Sequence, residues 1–135
     1  MDEANTKKTE TSQRGRALIY VVDDEPMLLD LAAVILRTLG YTVATFRAPE
    51  ATLQAYRAAA IPPALLITDY AVGAMNGLEL AAACRKICPQ QKVLLLSGTV
   101  GVADLQGGPT WPDQFLAKPY QPKQLVNAVE SLLAA

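Results

Sequence analysis

Five side chains able to do chemistry stand at the ends of four short apolar runs. Asp23 and Asp24 follow Ala17-Leu18-Ile19-Tyr20-Val21-Val22. Asp69 ends Ala64-Leu65-Leu66-Ile67-Thr68. Ser97 follows Val93-Leu94-Leu95-Leu96, and Lys118 follows Gln114-Phe115-Leu116-Ala117. Where two such runs are neighbouring strands, their ends lie about 5 Å apart, and the three carboxylates converge. Two unit charges about 4 Å apart repel by roughly 4 kcal/mol at an effective dielectric near 20. Either one carboxyl keeps its proton or a cation sits among them. A divalent, oxygen-preferring ion suits such a cluster. Magnesium takes one or two carboxylates, keeps several waters and accepts phosphate oxygens as further ligands. One acid after a strand is commonplace and reads as a solvated loop group. Three, with a lysine and a hydroxyl at two further strand ends, read as a site.

Composition narrows the chemistry. The chain has 135 residues and no histidine. That removes Ser-His-Asp and Cys-His catalysis and any transfer through a phosphohistidine of its own. A carboxylate must carry whatever phosphate chemistry occurs. The first strand-to-helix loop has no glycine-rich phosphate cradle and no GxxxxGK[ST] motif, and its three acids, Asp23, Asp24 and Glu25, repel a bare phosphate. A net charge of −1 gives no broad attraction to nucleic acid or to an anionic membrane. No apolar run approaches the roughly 18 residues of a membrane span, and no signal peptide is visible. A cytoplasmic protein is expected. Cys84 and Cys88 share a helix face. Two thiols without further ligands read as small core side chains rather than a zinc site.

The elements that must position these groups alternate. Residues 1–16 are polar and expected to form a flexible tail. Ala17 to Val22 reads as a first strand. Pro26 opens a helix whose stripe is read as Leu28, Leu31, Ala32, Ile35 and Leu39, closed by Gly40. Tyr41 to Phe46 is a second strand, and Pro49 to about Ala60 a second helix. The run ending in Asp69, bounded by Pro62-Pro63 and Gly73, is a strand buried on both faces, as in a parallel sheet. Leu78 to Ile87 is a third helix and Val93 to Leu96 a fourth strand. Gly101, Gly107, Gly108 and Pro109 leave room for only a short or irregular fourth helix between Thr99 and Trp111. Gln114 to Ala117 is a fifth strand and Pro122 to Leu133 a last helix. Strand then helix, five times, predicts an α/β fold: a doubly wound, five-stranded parallel sheet in the flavodoxin-like order 2-1-3-4-5.

On these residues the chain resembles the CheY-like receiver domain of two-component response regulators. The likeness spans about Ala17 to Leu133 and makes 17–135 the receiver domain. Its markers are Val21-Val22-Asp23-Asp24-Glu25-Pro26, Asp69 with Met75-Asn76-Gly77 behind it, Leu96-Ser97-Gly98, and Lys118-Pro119. The resemblance implies that Asp69 is the phosphoacceptor. It implies Mg²⁺ held by Asp23 and Asp24, with Asp69 and the Ala71 carbonyl as further ligands. Ser97 would bond the phosphoryl group, Lys118 would pair with it, and Phe115 would be the aromatic switch. It also implies a cis peptide at Lys118-Pro119. The implied partners are a sensor histidine kinase or phosphotransfer protein, and a downstream protein target or second copy on the helix-4, strand-5, helix-5 face. Nucleic acid and membrane are not among them. Such a domain is not an enzyme towards outside substrates: it catalyses only its own phosphorylation and dephosphorylation.

Departures from the family are local. Val72 and Gly73 replace the usual Met-Pro, and Gly73 is expected to loosen the loop. Ala71 and Thr99, both small, imply a short to intermediate phosphoryl lifetime. Trp111 either packs over the loop or anchors a partner. The chain stops after its last helix, so output through protein contacts or onward phosphotransfer is expected. Alternative readings are a receiver fragment of a hybrid kinase, an acceptor-dead interaction module, and a haloacid-dehalogenase-type phosphatase. The last needs an aspartate at position 71, where this chain has alanine.

Overall fold

Period-two alternation along the strands builds two core layers. Ile19 and Val21, Leu65 and Ile67, and Leu94 and Leu96 point to one face of the sheet, where Leu29, Ala32, Ala33, Leu36, Leu125, Val129 and Leu132 cover them. Tyr20, Val22, Leu66 and Val93 point to the other, against Leu53, Tyr56, Leu80, Ala81 and Cys84. Each fully buried Leu or Ile contributes roughly 1.5–3 kcal/mol relative to exposure. The computed structural model describes residues 16–98 and 111–134. In chain order these form β1 (Leu18–Val22), α1 (Pro26–Thr38), β2 (Thr42–Phe46), α2 (Pro49–Ala58), β3 (Leu65–Asp69), α3 (Gly77–Ile87), β4 (Val93–Ser97), β5 (Gln114–Ala117) and α4 (Pro122–Ala134). The strands form one parallel sheet in the order β2-β1-β3-β4-β5, as the alternation predicts. Helices α1 and α4 cover one face, α2 and α3 the other. The helix expected within 99–110, and the tail 1–15, lie outside the described residues.

Local signals explain most boundaries. Pro26 and Pro49 stand in the first turns of α1 and α2. Gly40 turns the chain after α1 with φ +94°, a conformation glycine adopts without penalty. β3 and β4 are buried along their whole length, as central parallel strands must be. Arg16 is held at the entry to β1: its guanidinium pairs with Glu130 at 3.0 Å and lies 4.5 Å from the Tyr41 ring centroid.

One expectation is corrected. The inward stripe of α1 is Leu29, Ala32, Ala33 and Leu36, so of the residues read as that stripe only Ala32 is fully buried. Leu28, Ile35 and Leu39 are half-buried, and Leu31 is exposed together with Met27 and Val34. The helix is apolar nearly all round, so periodicity alone does not choose its buried face. No helix among the described residues is long and apolar enough to cross a membrane. Both cysteines are free thiols. Cys84 is fully buried, and burial pushes its thiol up to about 12 despite the nearby Arg57, as suits a core side chain.

Candidate functional site

Strand neighbourhood brings the acids together. β1 pairs with β3, Val22 opposite Thr68, so Asp23 and Asp24 emerge beside Asp69, the last residue of β3. One carboxylate oxygen from each of the three lies within 4.8 Å of the others. Asp23 and Asp69 are buried, at 2% and 7% exposure, and Asp24 is exposed. Asp23 is oriented locally, since its Oδ1 accepts the Glu25 N–H at 2.9 Å.

The lysine arrives from the far edge of the sheet. β4 lies between β3 and β5, with Asp69 opposite Leu96 and Ser97 opposite Ala117. The Lys118 N–H donates to the Ser97 carbonyl at 3.0 Å. Its ammonium then reaches past β4, donating to Asp69 Oδ2 at 3.2 Å and Asp23 Oδ2 at 3.3 Å. Ser97 is buried at the end of β4. The Lys118-Pro119 peptide is cis.

The electrostatics follow from burial among like charges. Desolvation raises the Asp69 carboxyl above its ordinary range. Lys118 opposes this through its charge and hydrogen bond, while Asp23 and Asp24 add to the rise. Burial alone would weaken the Lys118 ammonium, but Asp23 and Asp69 outweigh it and hold the group protonated above its usual value. The Tyr120 hydroxyl is also raised, by burial first and then by Asp23, with Lys118 opposing. Tyr120 therefore belongs to the surroundings of the cluster.

The loop behind Asp69 is tied back to the strand. The Tyr70 N–H donates to the Leu96 carbonyl at 2.8 Å, and the Gly77 N–H to the Tyr70 carbonyl at 2.7 Å. Ala71 bridges Asn76 in antiparallel fashion. Asn76 caps α3: its side chain accepts the Glu79 N–H at 2.8 Å, and its own N–H donates to Glu79 Oε1 at 2.9 Å. A Cβ at Gly77 would stand 2.5 Å from the Asp69 carbonyl oxygen and 2.8 Å from Leu95 Cδ1, so only glycine fits. Gly73 has φ +118°, an angle closed to the proline usual in the family. Beside it, Val72 is buried in the core layer under α2 and α3.

Asp23, Asp24, Asp69 and Lys118 thus meet as a group, and Ser97 sits one strand away. Phe115 lies opposite Leu95, half-buried, with its ring edge-on to Trp111 at 4.8 Å and 70°. Asn76, Gly77 and Tyr120 have no role in the sequence reading beyond the marker Met75-Asn76-Gly77. The Asn76-to-Glu79 spacing is a readable helix-start signal. Nothing in one dimension reveals that Gly77 touches Asp69.

Fold and site together define a doubly wound α/β domain whose strand-end carboxylates are closed by a lysine. The model of the response regulator receiver domain family matches residues 19–130, and the chain belongs to that family. It is 30% identical over 118 residues to the DNA-binding response regulator MtrA of Mycolicibacterium smegmatis, covering 87% of this chain and 51% of that protein. It is 29% identical over 118 residues to the response regulator receiver protein CpdR of Brucella abortus, covering 87% of this chain and 97% of that one. The CheY-like receiver domain protein of Methanospirillum hungatei superimposes with a TM-score of 0.76 at 25% identity, covering 87% of this chain and 93% of that one. The chain spans about half the length of MtrA, so DNA binding is a property named for that longer protein.

Proposed function

We propose that Asp69 accepts a phosphoryl group from a histidine kinase, or from a small acyl phosphate, in a Mg²⁺-dependent transfer that switches a protein-interaction surface. The observation that carries this reading is the Lys118 ammonium bonded to both Asp69 and Asp23 inside a carboxylate cluster 4.8 Å across. An Asp69 oxygen attacks phosphorus, and the bond from phosphorus to the donor nitrogen or oxygen breaks, its electron pair leaving with the donor. The all-oxygen donor set of Asp23, Asp24 and Asp69, with the Ala71 carbonyl, suits a hard divalent cation. Bound there, Mg²⁺ would neutralise charge on the transferring group. Lys118 exchanges its carboxylate partners for the phosphoryl oxygens. The Ser97 hydroxyl donates to a phosphoryl oxygen, and Phe115 turns towards the space this leaves.

Family membership implies a kinase partner. Met27, Leu31 and Val34 form an exposed apolar ridge on α1, whose N-terminus adjoins Asp24, and this ridge suits the apolar side of a donor helix. The face beside β5 and α4 is where output is proposed. Catalysis is confined to the domain's own phosphoryl group.

Incubation with acetyl phosphate and Mg²⁺ is expected to add one phosphoryl mass. The adduct should be absent without Mg²⁺ and absent in Asp69→Asn. An unchanged mass in the parent protein would leave an interaction module that keeps only the fold. Turnover of p-nitrophenyl phosphate would point instead to a phosphatase.

A further inference from the structure

We propose that Trp111 is the resting seat of the Phe115 ring, held in place by Arg85, and that signalling breaks this ring contact. The proposal rests on Phe115 being the moving aromatic of a phosphoacceptor switch. The two rings meet edge to face at 4.8 Å, and both residues are half-buried. Among the described residues, a side chain from α3 holds the Trp111 backbone. Arg85 Nη1 donates to the Trp111 carbonyl at 2.6 Å, Nη2 to Asp113 Oδ2 at 2.9 Å, and Nε to the Gln91 carbonyl at 3.0 Å. Asp113 in turn accepts the Val93 N–H at 2.7 Å, and its own N–H donates to the Val93 carbonyl at 2.9 Å. Arg85 therefore ties the start of β4 and the segment entering β5 to one helix. The planar guanidinium fork serves these three separated acceptors from three different nitrogens, which the single ammonium nitrogen of a lysine does not offer.

The consequence is a bias. An edge-to-face contact made only in the resting arrangement favours that arrangement, and a phosphoryl group must outweigh it. Weakening the seat should therefore tighten binding of a phosphoryl mimic. The change expected is roughly two- to tenfold, the population weight of one such ring pair.

Trp111 is the single tryptophan of the chain, so its emission reads the contact directly. The test uses the full chain with Mg²⁺ and beryllofluoride as the mimic, and fluorine NMR reports binding independently. Binding is expected to red-shift the Trp111 emission and to increase its quenching by acrylamide. In Phe115→Leu, beryllofluoride should still bind and the emission should no longer respond. In Arg85→Lys, which keeps the charge facing Asp113 but loses the fork, the resting emission should already be shifted. Half-saturation should come at a lower beryllofluoride concentration. Circular dichroism confirms that each variant is folded. If fluorine NMR shows bound mimic while the parent's emission is unchanged, the Trp111 seat is wrong and the phosphoacceptor reading stands. If Arg85→Lys is folded and binds the mimic no more tightly than the parent, the bias is wrong. No bound mimic at all overturns both readings.

Discussion

Asp69 is buried as an anion beside two other carboxylates, and one ammonium does not fully offset that burial. Its folded pKa is raised. Its contribution to stability is therefore fully present below the ordinary aspartate value, about 3.9, and is lost as pH rises through the raised folded value. In magnesium-free buffer, Asp69→Asn should melt higher than the parent at pH near 7 (Lys118 stays protonated throughout this window). The difference should close as pH falls towards about 4. Paired thermal melts across that range check this, and a gap independent of pH would contradict it. Lys118, whose charge and hydrogen bond oppose that rise in pKa, favours the anionic form of Asp69 that the proposed attack on phosphorus requires.

At the scale of elements, the β3-to-α3 connection does most of the positioning. Asn76 closes the first turn of α3, and Gly77 lets that helix begin against the Asp69 backbone. Gly77→Ala forces a methyl to within 2.5 Å of the Asp69 carbonyl oxygen, an overpacking that should cost about 1–3 kcal/mol. Asn76→Ala loses a cap worth about 1 kcal/mol. Chemical denaturation measures both. Gly77→Ala should in addition slow phosphorylation by acetyl phosphate, because the carbonyl it displaces belongs to Asp69, the proposed acceptor, whereas Asn76→Ala should leave the rate near that of the parent. The ends of β3 are readable from Pro62-Pro63 before it and Gly73 after it. The inner face of α1 is not, because Met27, Leu28, Leu31, Val34 and Ile35 look as apolar as the residues that are buried. The sheet, by lying on the side of Leu29 and Leu36, makes that choice.

Across the whole molecule, the carboxylate cluster joins two segments far apart in sequence. A divalent ion binding the folded arrangement and not the unfolded chain must stabilise the fold. At a hundred times its dissociation constant the gain is about 2.7 kcal/mol. Mg²⁺ should therefore raise the melting temperature of the parent, and do so less in Asp24→Asn. An equal rise in both would place the ion elsewhere. The strand order β2-β1-β3-β4-β5 makes the cluster possible, since it sets β1 beside β3 and leaves β4 as the only strand between Asp69 and Lys118.

The alternation of strands and helices, and the identity of the side chains at strand ends, are legible in one dimension. Both are local properties: period-two burial, proline and glycine punctuation, and the short length of each apolar run. Assembly of the fold is what makes Lys118 bond Asp23 across 95 residues and Asp69 across 49, excludes any side chain at Gly77, and brings the Trp111 and Phe115 rings edge to face. Those facts depend on register between neighbouring strands and on close approach of backbones, which arise only when the sheet assembles and its two faces are covered.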